Sequence, residues 1–199
     1  MPDVLVSSGA RVWRHWLAAV ALLLLAACAE GPTTAGNDTA DRIARLRSDI
    51  LALGPGVDAE EAARAARIAI EYPLKLRQDY QVSDPAIVHN MKVNSGLRPR
   101  GLCYQWADDL QARLAKEEFE TLDMHRAIAN ARKVFRIDHS TVVLSASGAA
   151  WDRGIVLDPW RFGGTLYWGP PLEDQSYAWE PRQQVLAFKR ARFGDRDRD

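Results

Sequence analysis

The chain has 199 residues, 26 basic and 26 acidic side chains, and 47% apolar residues. That fits one domain with at most an appendage, and it argues against wholesale disorder. Zero formal charge leaves no basic face for nucleic acid, the two cysteines cannot build a disulfide scaffold, and no CxxC pair or HExxH run offers a standard metal motif.

In chain order, Arg11, Arg14 and His15 precede a continuous apolar run from Trp16 to Ala27. The run is shorter than the roughly 20 residues a membrane-spanning helix needs, and it suits the core of an export signal. It ends Leu25-Ala26-Ala27-Cys28, which resembles the lipobox of bacterial lipoprotein signals. The resemblance implies a signal peptide over 1–27, lipid attachment at Cys28, and a periplasm-facing place in the bacterial cell envelope. Ala29, rather than an aspartate, follows the cysteine, which by the same analogy favours the outer membrane. An uncleaved anchor or a plain secretory signal are the alternatives. Losing two arginines and one aspartate with 1–27 leaves 24 basic and 25 acidic groups. Cys103 is then the one thiol available to the domain, with no disulfide partner in the chain.

Residues 28–38, small and turn-forming, read as a flexible tether. A helical pattern follows from about Thr39 to Leu53, with Ile43, Leu46, Ile50 and Leu53 on one face, and Gly54-Pro55-Gly56 stops it. Asp58 with Glu61 reads as a capping box opening an alanine-rich helix that Pro73 should bend or end. Its alternating charges over 58–79 suit a solvated face. Ser83-Asp84-Pro85 starts a short third helix that fades near Asn94-Ser95-Gly96. The helix from about Cys103 to Phe119 carries Cys103, Trp106, Ala107, Leu110 and Leu114 on one face. The period then changes: 121–129, 135–146, 154–158 and 165–168 have strand character. The tail from Lys189 is nearly all charge and should fray. Helices first and strands later predict an α+β fold with an antiparallel sheet. The expected organisation is a helical region over 39–83, a main domain over 84–188 and a charged tail over 189–199.

Cys103 opens its helix after a glycine-containing loop. The positive helix end favours thiolate, and unpaired first-turn N–H groups there can hold an oxyanion. A cysteine nucleophile benefits from an imidazole. Of the four histidines, His15 lies in the signal, His89 in the third helix and His125 in the first strand. His139 begins the strongest strand. If Gly148-Ala149 is a two-residue hairpin loop, His139 lies opposite Asp158, with Cβ atoms about 5 Å apart on one face. A one-residue slip would separate them onto opposite faces.

Gly101-Leu102-Cys103-Tyr104-Gln105-Trp106-Ala107, then Asp138-His139 before an apolar strand, then Val156-Leu157-Asp158-Pro159-Trp160, resembles the transglutaminase-like branch of papain-fold cysteine enzymes over about residues 84–170. The resemblance implies a helix-borne cysteine packed on an antiparallel sheet that carries the other two residues. It also implies acyl transfer through a thioester on a peptide or protein substrate, with no cofactor. It departs in Ser140-Thr141 after the histidine, where an aromatic residue is often found. Backbone N–H of Cys103 is the first oxyanion donor, with Gln105, Trp106 and Asn90 as further candidates.

Singly, each residue has a structural explanation: a small buried thiol, a satisfied core histidine, an Asp-Pro turn. Together, in a compatible register, they favour the catalytic set. A zinc site on Cys103, His139 and Asp158 is disfavoured by the lack of close ligand pairs. Trp151, Trp160, Trp168 and Trp179 mostly suit sheet covering, while Trp160 and Trp168 could wall a cleft beside Asp158. Arg161 to Thr165 reads as a hairpin turn, or as a tip offering a cation to a substrate carboxylate. The rival reading is a lipid-tethered binding or assembly module with a vestigial site, and a third is a purely structural lipoprotein.

Overall fold

A computed structural model describes residues 33–194; the expected signal segment over 1–27, Cys28 and the last five residues lie outside that range. The elements are α1 (Thr33–Leu51), α2 (Ala59–Asp79), α3 (Ala86–Asn94), α4 (Cys103–Ala115), β1 (Leu122–Ala129), β2 (His139–Ala146), β3 (Ile155–Phe162), β4 (Thr165–Gly169), β5 (Trp179–Pro181) and α5 (Arg182–Phe193). The strands form one antiparallel sheet in the order β4-β3-β2-β1-β5. The chain is α+β, and residues from Thr39 onward belong to one unit.

Alternation along the strands divides the sheet. Val142, Leu144, Ile155, Leu157 and Leu166 face the helices and share a core with Leu46 and Ile50 of α1, the alanines of α2, and Ala107, Leu110 and Leu114 of α4. The small alanine side chains let α2 lie close against its neighbours. Ala127, Ala129, Val143 and Val156 point the other way, beneath Trp179, Trp151, Tyr167 and Tyr177.

Several expectations need correction. α1 begins at Thr33, so residues 33–38 of the expected tether are helical. α2 runs on through Pro73 to Asp79. Burial of Pro73 and Leu76 holds the turn despite the missing N–H donor. Asp58 Oδ1 does accept the Glu60 and Glu61 N–H groups, at 2.9 Å each. Glu61 does not complete a capping box, and it is no part of a solvated face. It is buried and accepts the N–H groups of Glu120 (2.8 Å) and Thr121 (2.9 Å), fixing the entry to β1. Burial opposes its charge, but those donors hold its pKa below the usual value. α4 ends at Ala115, and residues 130–138 form a loop before β2. The expected fraying at 189 gives way to helix as far as Phe193.

The β2–β3 connection is no two-residue hairpin. It runs from Ser147 to Gly154 and includes a 3₁₀ turn at Trp151–Arg153. Val142 therefore pairs with Leu157, two residues from the expected register. Because side chains alternate with period two, a shift of two preserves the face. His139 and Asp158 become diagonal neighbours on the same side rather than direct partners.

Candidate functional site

The loop before α4 is held from both ends. Gly101 has φ +128°, and a Cβ there would come within 2.4 Å of His89 Nε2, so only glycine fits. His89 Nε2 donates to the Arg100 carbonyl at 2.9 Å. Arg100 forks onto Asp109 of α4 (2.8 and 2.6 Å), and the Tyr80 hydroxyl reaches the same carboxylate. Gln105 Oε1 accepts the N–H groups of Gly101 (2.8 Å) and Leu102 (3.0 Å). That cap takes neither the Cys103 nor the Tyr104 N–H, so the helix end at the sulfur keeps its donors.

Cys103 is buried and its Sγ–H donates to the Asp138 carbonyl at 3.4 Å, which puts the sulfur at the start of β2. The next residue, His139, is 1% exposed. Its Nε2 donates to Asp158 Oδ2 at 2.7 Å. Its Nδ1 is buried without a partner. Burial disfavours charge on the ring. Asp158, by charge and hydrogen bond, and then the Cys103 sulfur outweigh that cost and raise the His139 pKa to about 9. The ring lies among Trp160 (4.5 Å between centroids), Tyr177 (4.6 Å) and Trp179 (5.1 Å).

Behind Asp158 sits a cation. Arg161 Nε donates to Asp158 Oδ2 at 3.0 Å, and its backbone N–H to Oδ1 at 3.3 Å. Its other nitrogens fork onto Asp174 at 3.2 and 2.5 Å. The guanidinium lies 3.6 Å from the Tyr167 ring centroid and 4.7 Å from that of Tyr177. Asp174 also accepts from Trp179 Nε1 and Ser176 N–H, each at 2.9 Å. Burial works against its ionisation, yet Arg161 and these donors lower its pKa. Arg161 is thus no free cation for a substrate carboxylate.

Of the residues singled out from sequence, Cys103, His139, Asp158 and Trp160 meet. Asn90 reaches the edge of the site, its Oδ1 accepting from Trp160 Nε1 at 3.0 Å. Gln105 spends its oxygen on the helix cap. Trp106 is buried, with Nε1 committed to the Gly101 carbonyl at 2.9 Å. Trp168 does not wall a cleft beside Asp158. Paired with Leu157, it faces the helices, where its Nε1 donates to Asp49 at 2.8 Å and Arg42 stacks on its ring.

The contact of Arg161 with Asp158 has no signal in the sequence, because residues three apart along a regular strand face opposite sides. The β3–β4 pairing is interrupted between Asp158 and Phe162. Pro159 has no N–H for the ladder there, and the local turn brings Arg161 back over the carboxylate. Asp174, Tyr177 and Trp179 lie in and after a strap between β4 and β5 that has no periodic signature. Among the described residues no group of three His, Cys, Asp or Glu side chains is placed to hold a metal ion. No family model matches the chain, and neither the curated proteins nor the solved structures include one with significant similarity to it.

Proposed function

We propose that this chain is a cysteine enzyme acting on peptide, isopeptide or other amide bonds through a thioester, with a transglutaminase-like, papain-like arrangement of its helix and sheet. The observation that carries the reading is His139. One ring nitrogen is tied to Asp158 at 2.7 Å, the other is buried without a partner, and the Cys103 sulfur lies against the backbone just before the ring, on the Asp138 carbonyl at 3.4 Å. That is the order nucleophile, base, orienting group.

In this reading His139 already holds the proton of Cys103 at neutral pH, in keeping with its pKa near 9, and the thiolate sulfur forms a bond to the substrate carbonyl carbon as the carbonyl π pair moves to oxygen. The oxyanion so formed lies within reach of the N–H groups at the start of α4. Collapse breaks the C–N bond, and His139 returns the proton to the leaving amine. Water or a second amine then attacks the thioester, again deprotonated by His139, and frees the thiol. Hydrolysis and cross-linking share the first half. We further propose that the lipobox-like segment tethers the domain to the cell envelope through lipid on Cys28, facing the periplasm.

One observation favours a second reading, a non-catalytic lipid-anchored binding or assembly module on the same fold: Cys103 is only 8% exposed. Alkylation of Cys103 by iodoacetamide, followed by peptide mass spectrometry, separates the two. An enzyme gives labelling in the folded state well below pH 8, strongly reduced in His139→Ala. Labelling only on unfolding supports the module. Once a substrate is identified, Cys103→Ala with full turnover overturns the catalytic reading.

A further inference from the structure

The Asp158 carboxylate is shared. Oδ2 accepts from both His139 Nε2 and Arg161 Nε, and Oδ1 accepts the Arg161 N–H. A guanidinium so close to a carboxylate should cancel the field that the imidazole feels. Here it does not act alone, because the far side of the same guanidinium is forked onto Asp174. Two carboxylates around one guanidinium leave one net negative charge beside the ring. The Arg161 and Asp174 side chains are almost completely enclosed, at 9% and 1% exposure, so solvent screens this balance little.

We infer that Arg161 and Asp174 are positioning residues for the His139–Asp158 couple: the guanidinium aims the carboxylate, and Asp174 offsets the guanidinium's charge so that the carboxylate keeps its pull on the ring. This rests on the catalytic reading above. The pair also clasps the strap to the site. Asp174 binds the Trp179 indole N–H, and Arg161 stacks on Tyr177, the two aromatics that lie against His139. Besides Cys103, Asp158, Arg161, Asp174 and Tyr177, the charged group nearest the ring in sequence is Asp138, which is neutralised by Lys189 of α5.

The test is the titration of His139 in the full chain, followed by imidazole ¹⁵N shifts and assigned by the signal lost in His139→Ala. Asp174→Asn leaves Arg161 uncompensated, so the His139 pKa should fall by about one unit. Adding Arg161→Met to Asp174→Asn restores one net negative charge, so the pKa should climb back. A merely structural role gives the opposite pattern, the double variant being no better than the single. An unchanged pKa in Asp174→Asn, or no recovery in the double variant, overturns the inference. If Asp174→Asn does not fold, Arg161→Lys carries the test. Charge is kept and the fork is lost, so the titration should hold while Cys103 alkylation slows several-fold; undiminished alkylation overturns the inference. Failure of the catalytic reading looks different, because His139→Ala would then leave Cys103 labelling unchanged.

Discussion

The two faces of the sheet are built from the same strands but do different work. Toward the helices, Val142, Leu144 and Leu157 meet aliphatic side chains. That face stabilises by removing apolar area from water, at about 25 cal/mol per Å². Toward the strap point Thr141, Val143 and Asp158, each adjoining one of those residues in sequence, and His139, two residues before Thr141. This face buries an imidazole, two carboxylates and a guanidinium under four aromatic rings. Buried charge costs several kcal/mol per ion before pairing offsets it. The contrast teaches that alternation sorts the strands' own side chains into an aliphatic face and a polar one at a distance of one residue, while Cys103 comes to the start of β2 from α4, on the helix side.

The sharpest break in that comparison comes from the chemical face. His139→Ala should slow Cys103 alkylation near neutral pH by about 10² to 10⁴-fold, the range expected for loss of a base, read by peptide-resolved labelling. It should leave the helix-facing core folded by circular dichroism. On the other face, Leu144→Ala empties a fully buried site. It should cost about 2–5 kcal/mol in urea unfolding while leaving the His139 titration where it was. Movement of that titration in Leu144→Ala would show that the two faces are coupled rather than separate.

A smaller effect is readable through pH. The folded-state pKa of His139 lies near 9, above its ordinary 6.5. The stability it contributes is therefore fully present below pH 6.5 and is lost as pH rises through 9. The loss should be on the order of 3 kcal/mol between the two limits, measured by urea midpoints at pH 6 and pH 10. It should flatten in Asp158→Asn, where the attraction is gone. The smallest change is Gln105→Ala, which removes the acceptor for Gly101 and Leu102 N–H. It should cost about 1 kcal/mol, as for lost helix caps.

Much of the site was legible early because it depends on local signals. A glycine loop before Cys103, a strand beginning at His139 and a strand ending in Asp158-Pro159 are each short-range patterns. The face shared by His139 and Asp158 survived an error in the loop between them, since the true register differs by an even number of residues. Proximity in sequence puts Trp168 near Asp158, but proximity does not set the face. Its pairing with Leu157 sends it to the helix side. Residue type alone marks Gln105 and Trp106 as candidates, whereas their hydrogen-bond partners lie in the loop they support.

By itself the sequence determined the α+β division, the thiol at a helix start and the side of the sheet on which the imidazole and the carboxylate stand, because periodicity and parity are properties of neighbouring residues. It takes the folded chain to turn Arg161 back on Asp158, to set Asp174 against it from a strap without pattern, and to enclose the ring with Trp160, Tyr177 and Trp179. Those contacts depend on a break in strand pairing at Pro159 and on segments up to 40 residues apart along the chain, such as His139 and Trp179. No local preference encodes such meetings; they exist because the segment joining β4 at one edge of the sheet to β5 at the other brings Asp174 and Tyr177 onto Arg161 and His139.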